Sequence, residues 1–139
     1  MNRIWKLDAH GLLITQLSGS VSLDTVLEFR RLIVGLLGFA PGQDHIIDLS
    51  AVREVAITPE QFRSMGEASV HGSDSRRAFV APDVLTFGLS RVLAGWSGQF
   101  RPRTESFRDR ASALAWLELP ADLLDGLPEP DATFPEAEL

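Results

Sequence analysis

The chain predicts an α/β fold: a single mixed five-stranded sheet with four helices, opened by an N-terminal antiparallel hairpin. Three observations carry this. Ile46, Ile47 and Leu49 form a short apolar run, the pattern of a strand buried on both faces. Thr58-Pro59-Glu60-Gln61 then opens a helix on three counts: a Thr cap, Pro at the first helical position, and Gln three residues after the cap. Strand-like and helix-like runs continue to alternate afterwards, and repeated strand–helix–strand units imply parallel neighbours with right-handed crossovers.

In chain order, Ile4 to Asp8 and Leu12 to Ser18 read as two strands joined by a short turn that Gly11 closes. Ser22 caps the first helix, and Asp24 suits its first turn. Val26, Leu27, Phe29, Leu32, Ile33, Leu36 and Leu37 give that helix a wide apolar face, while Asp24, Glu28 and Arg31 form its polar stripe. Gly38 stops it, and Ala40-Pro41-Gly42 turns the chain into the central strand. The second helix follows Thr58 and ends near His71-Gly72. Arg77 to Ala81 is a second buried strand, stopped by Pro82. Asp83 or Thr86 caps a third helix with Leu85, Leu89, Val92, Leu93 and Trp96 on its apolar side. Arg103 to Phe107 is an edge strand preceded by Pro102, and Asp109 caps a last short helix that Pro120 ends.

Composition narrows the function classes. The 139 residues make one domain, with 45% hydrophobic and 23% charged side chains, as in ordinary globular proteins. The longest apolar stretch, Leu32 to Ala40, is too short to span a bilayer, and the N-terminal stretch lacks a signal-peptide pattern. The expectation is a cytoplasmic protein with no stable membrane insertion. There is no cysteine, so disulfide and thiolate chemistry are excluded. Residues 1–119 carry 13 acidic and 13 basic side chains, whereas residues 120–139 carry six acids and no base. A neutral body, 1–119, with an acidic, proline-rich tail, 120–139, has no electrostatic footprint for nucleic acid. Composition alone predicts a disordered tail, yet Leu123, Leu124 and Leu127 predict a short turn packed on an apolar patch of the same chain or of a second protomer, with the acids near the Arg101–Arg110 stretch.

Ligands in open α/β sheets bind beyond the carboxyl ends of the parallel strands. That rim gathers Asp48, Ser50, Thr58, Asp83 and Thr86. Two carboxylates could serve acid–base or metal chemistry, but Asp83 as a helix cap and Asp48 satisfying loop N–H groups accounts for both. No Gly-rich phosphate loop follows either strand, and His10 and His45 have no partner at metal-ligand spacing. His71-Gly72-Ser73-Asp74-Ser75 holds the residue types of a hydrolase triad but reads as a polar turn. Trp96, Phe100, Phe107 and Trp116 read as core, and Arg101, Arg103, Arg108 and Arg110 as protection of the sheet edge. No catalytic set, metal or cofactor is expected.

Four stretches carry a resemblance: Asp48-Leu49-Ser50 with Val52, residues 76–83, Phe87-Gly88-Leu89 with Arg91, and Phe107-Arg108-Asp109 with Ala113 and Ala115-Trp116-Leu117. Over about residues 4–119 the chain resembles the STAS domain of bacterial anti-sigma factor antagonists, and is more similar to the SpoIIAA-like (STAS/SEC14-type) family. The resemblance implies a non-enzymatic interaction or regulatory module that contacts another protein and forms a homodimer. The lipid-holding side of the same family implies an alternative, a carrier for a lipid or other apolar ligand. It also implies a phosphorylation position: antagonists carry an Asp-Ser-Ser-Gly turn after the central strand, and counting from Asp48 places Thr58 there, with the Asp, first Ser and Gly replaced.

Overall fold

A strand buried on both faces needs consecutive residues that are both apolar, and the central strand supplies them. The computed structural model describes residues 1–36, 43–61, 64, 75–83, 87–88 and 103–137. Its strands are β1 (Asn2–Leu7), β2 (Leu12–Ser22), β3 (Asp44–Ala56), β4 (Arg76–Val80), β5 (Arg103–Phe107) and β6 (Ala132–Phe134), in the sheet order β5-β4-β3-β2-β1-β6. The helices with described bounds are α1 (Leu23–Leu36) and α2 (Arg110–Trp116). β2, β3, β4 and β5 pair in parallel, while β1 pairs antiparallel with β2 and with β6.

Side chains alternate between the two faces at a period of two. Ile4, Leu13, Leu17, Ile47 and Phe79 point to one face, where Val26, Phe29, Leu32 and Ile33 of α1 cover them. Trp5, Leu12, Ile14, Ile46, Ala78 and Val80 point to the other, under Ala113, Leu114 and Leu117. Ile47, Phe79 and Val80 are buried, as the sheet assignment requires. Among the described residues the tail adds to the second cover: its Leu123, Leu124 and Leu127 pack on that cluster around a single 3₁₀ turn, Leu123–Gly126.

The expectation of five strands and four helices is corrected. The sheet has six strands. Among the described residues two helices have described bounds, α1 and α2, and residues 59–61 are helical as well. The expected third helix falls almost wholly outside the described residues, which include only Phe87 and Gly88 of it, both helical. The added strand is β6, three residues bracketed by Pro130 and Pro135, too short to show a period in the sequence. It registers Asn2 against Phe134 and Ile4 against Ala132, and Phe134 enters the core under α1. The tail thus crosses from one face of the sheet to the other around the outer edge of β1.

Polar contacts fix that path. The Trp5 indole N–H donates to the Pro128 carbonyl at 2.8 Å, and the Lys6 backbone N–H donates to Asp131 Oδ2 at 2.7 Å. The Asn2 side-chain amide donates to the Pro135 carbonyl at 3.3 Å, and Glu136 pairs with the Met1 ammonium at 2.6 Å. Asp131 and Glu136 therefore sit at β1; among the described residues no tail acid pairs with the 101–110 arginines, which corrects that expectation. Gly19, in the left-handed region with φ 67°, lies beside irregularities in the β2–β3 register, and a Cβ there would collide with the Glu136 carboxylate.

The predicted caps are present. Thr25 N–H donates to Ser22 Oγ at 3.3 Å and Ser22 N–H to Thr25 Oγ1 at 3.1 Å, while Asp109 Oδ1 accepts from Ser112 N–H at 2.7 Å. α2 ends in a Schellman arrangement: Leu119 N–H reaches the Leu114 carbonyl and Glu118 N–H the Ala115 carbonyl. Its left-handed position is Glu118, φ 59°, where glycine would carry no Cβ penalty. Glu118→Gly should therefore leave the fold intact and raise stability by up to about 1 kcal/mol in urea denaturation, the relief outweighing the added freedom of the unfolded chain. A loss of 1 kcal/mol or more would show that the Glu118 side chain anchors this turn.

Candidate functional site

The expected rim placement of Asp48 is corrected: β3 runs on to Ala56, and Asp48 lies mid-strand, level with the end of β4 at Val80. The Asp48 side chain is 3% exposed although it carries a charge. Burying a carboxylate is costly unless every lone pair is met, and here both oxygens are used. Oδ1 accepts from Ser50 N–H at 2.9 Å and from the Ser50 hydroxyl. Oδ2 accepts from Arg110 Nε at 3.0 Å and Nη2 at 2.8 Å. Asp48 thus ties the start of α2 to the sheet.

The other end of α2 is tied in the same way. Arg76 Nη2 pairs with Asp44 Oδ2 at 3.0 Å, and the same guanidinium donates to the carbonyls of Trp116 and Leu117 at 3.2 and 3.3 Å. Those are carbonyls that a helix C-terminus leaves unmet. Asp44 and Asp48, both on β3, therefore hold opposite ends of α2, which runs antiparallel to the strand. Trp116 lies between Arg76 and Arg103, with Phe107 at 5.6 Å between ring centres. Arg108 donates twice to the Pro82 carbonyl and stacks on Phe87. The arginines read as edge protection are thus also joints: Arg103 on Trp116, Arg108 on Pro82, Arg110 on Asp48. Arg101, Trp96 and Phe100 lie outside the described residues.

Of the remaining rim residues, Thr58 and Asp83 make their described hydrogen bonds away from Asp48. Thr58 is exposed and closes a reciprocal cap: its N–H donates to Gln61 Oε1 at 2.9 Å, and Gln61 N–H donates to Thr58 Oγ1 at 3.2 Å. Asp83 is exposed and its carbonyl accepts from Phe87 N–H at 2.9 Å. Thr86 and residues 71–74 lie outside the described residues. Ser75, the last residue of that polar stretch, is buried.

Under α1 lies a buried polar group that the sequence did not signal. His45 shares a 2.7 Å hydrogen bond with the Thr15 hydroxyl and meets the Phe29 ring edge-on at 6.2 Å. Arg77, its cross-strand neighbour, is buried over the Phe79 ring. Burial, then the like charge of Arg30, pushes the Arg77 guanidinium down to about 9. Among the described residues no group of three His, Cys, Asp or Glu side chains is placed to hold a metal, and no helix is long and apolar enough to cross a membrane.

Two clefts flank these elements. One, of about 50 Å³, lies beside Asp48 between Arg3, Gln16, Ser18, Ser50 and Arg110. The other, of about 310 Å³, opens on the α1 face between the first turns of α1 and Phe134–Ala137, with Asp24 and Glu28 in its wall.

Among solved structures, the chain matches an uncharacterized protein of the DUF3478 family with a SpoIIAA-like fold from Shewanella loihica PV-4. The TM-score is 0.57 at 18% identity, over 84% of this chain and 92% of that one. The fold is SpoIIAA-like. No protein-family profile and no curated protein sequence matches the chain.

In this SpoIIAA-like sheet the reading of Asp48 as a group that satisfies local N–H donors agrees with the geometry, since Ser50 N–H is one of its partners. Its Arg110 partner, 62 residues on, has no signal in the local sequence. Nor do Arg3 and Gln16, which are only polar positions on alternating strands.

Two outcomes test these joints. Thr58→Ala should lower stability by about 1 kcal/mol through loss of the cap, while Thr58→Ser should be nearly neutral. A difference between these two variants in partner binding at equal stability would give Thr58 a role beyond capping. Arg110→Ala should cost about 1–3 kcal/mol, because it leaves the Asp48 carboxylate short of its partner. In an Asp48→Ala background the same change should cost much less, a coupling readable by a double-mutant cycle in urea. Additive losses would separate the two residues.

Proposed function

We propose that the chain is a non-enzymatic STAS-like interaction module that acts through protein–protein contact and pairs with a second copy of itself. The observation that carries this reading is the state of Asp48. A carboxylate with both oxygens held by Ser50 and Arg110 is a structural joint, and a free general base would need one of them open. The SpoIIAA-like fold supports the same reading.

The outer face of α1 supports the pairing. Leu27 and Val34, 50% and 52% exposed, stand seven residues apart on it, about two helical turns. Glu28 and Arg31, joined at 2.7 Å, lie between them. Under a two-fold axis near Arg31, two antiparallel copies of α1 set Leu27 of one over Val34 of the other. The same axis brings each Glu28 within reach of the opposite Arg31. The face is therefore complementary to itself in both apolar and charged positions. Gly35, at whose surface an added Cβ would meet nothing, leaves room for a neighbouring backbone.

Sedimentation and native mass spectrometry of the full chain test this. A dimer is expected, and Leu27→Glu should shift it to a monomer that stays folded, since the side chain is half exposed in the single chain. A wild-type monomer at all concentrations, or an unchanged dimer in the variant, would remove the α1 face from the proposal. A co-purified lipid-sized mass would replace the module with a carrier of apolar ligands.

A further inference from the structure

The cleft beside Asp48 is chemically one-sided. On the α2 face, a single cross-strand row runs from Arg3 on β1 to Gln16 on β2 and Asp48 on β3. Arg110 lies over Asp48 at the end of that row. Neighbouring strands are about 4.8 Å apart, so the Arg3 and Arg110 guanidinium groups flank the Gln16 amide from both sides. Among the described residues the side chains of Arg3 and Gln16 make no hydrogen bond or ion pair. Arg110 uses two of its five N–H groups on Asp48, and its side chain is half exposed to the cleft.

Charge follows the same pattern. The one carboxylate lining the cleft, Asp48, is cancelled by Arg110, and the Met1 ammonium is cancelled by Glu136. Arg3 remains as an uncompensated positive charge. Two guanidinium groups, an amide and the open side of the cleft present donors from three directions. A tetrahedral group with three free oxygens can meet all of them at once, which a planar carboxylate with two oxygens cannot.

We infer that this row is a binding site for a phosphate group, seated over Gln16 between Arg3 and Arg110. The site lies level with the ends of β4 and β5, at Val80 and Phe107, where β2 and β3 run on past their shorter neighbours. It needs neither the dimer nor a partner protein, so it stands or falls apart from the reading above. Arg110 is held in place by Asp48 before any ligand arrives, which lowers the ordering cost of binding.

Inorganic phosphate titrated into the full chain, with chloride as the control at matched ionic strength, tests the site by calorimetry and thermal melting. Phosphate should bind once per chain and raise the melting temperature. Arg3→Ala should weaken binding about tenfold, and Gln16→Leu less, by severalfold, as neither side chain holds the fold. Glycerol 3-phosphate separates the sources: tighter binding than inorganic phosphate means the group arrives on a larger molecule, equal binding means the free ion is enough. No response beyond chloride, or variants that bind phosphate as the parent does, would overturn the site.

Discussion

Ile46 and Ile47 face opposite ways from one strand, and that single fact commits the chain to two covers. One cover is α1. Among the described residues the other is α2 together with the tail, since seven residues make a helix only about 10 Å long, less than the width of the strands beneath it. The leucines of the tail fill the shortfall. Each fully buried apolar side chain stabilises by roughly 1.5–3 kcal/mol, against at most about 1 kcal/mol for an exposed ion pair, so Phe134 and the partly buried leucines anchor the tail more than its acids do.

Polar groups in this molecule set positions more than they add stability. Asp44 and Asp48 are four residues apart on β3, and each engages an arginine that fixes one end of α2. Replacing such pairs with apolar residues need not destabilise a protein, but it removes the information that places the helix. The same geometry leaves Arg110 fixed at the mouth of the cleft. A structural pair and a recognition surface therefore share one side chain.

Much of this was legible in the sequence, and the boundary is physical. The caps at Ser22, Thr58 and Asp109 were readable because a cap depends on residues within three positions of each other. β5 was read with its observed bounds, Arg103–Phe107, with Pro102 marking its start. β6 was not readable: three residues carry no period, and its existence depends on the edge of β1 some 130 positions earlier. The same holds for the site. Asp48 could be named from its place after an apolar run, but Arg110, Arg3 and Gln16 join it only through strand register and helix docking. The acidic composition of residues 120–139 pointed toward arginines, whereas Asp131 and Glu136 found backbone and terminal N–H donors on β1 instead.

The β1–β6 pairing also governs the order in which the molecule can be completed. β1 leaves the ribosome ahead of the other strands, and β2 can pair with one of its edges almost at once. Its other edge, with the N–H groups that Phe134, Ala132 and Asp131 will meet, has no partner among the described residues until residues 131–134 have emerged. Throughout synthesis the nascent chain therefore displays an unpaired strand edge, the feature by which incomplete chains join one another. A chain cut short before residue 132 keeps α1, α2 and the other five strands and leaves one sheet edge open.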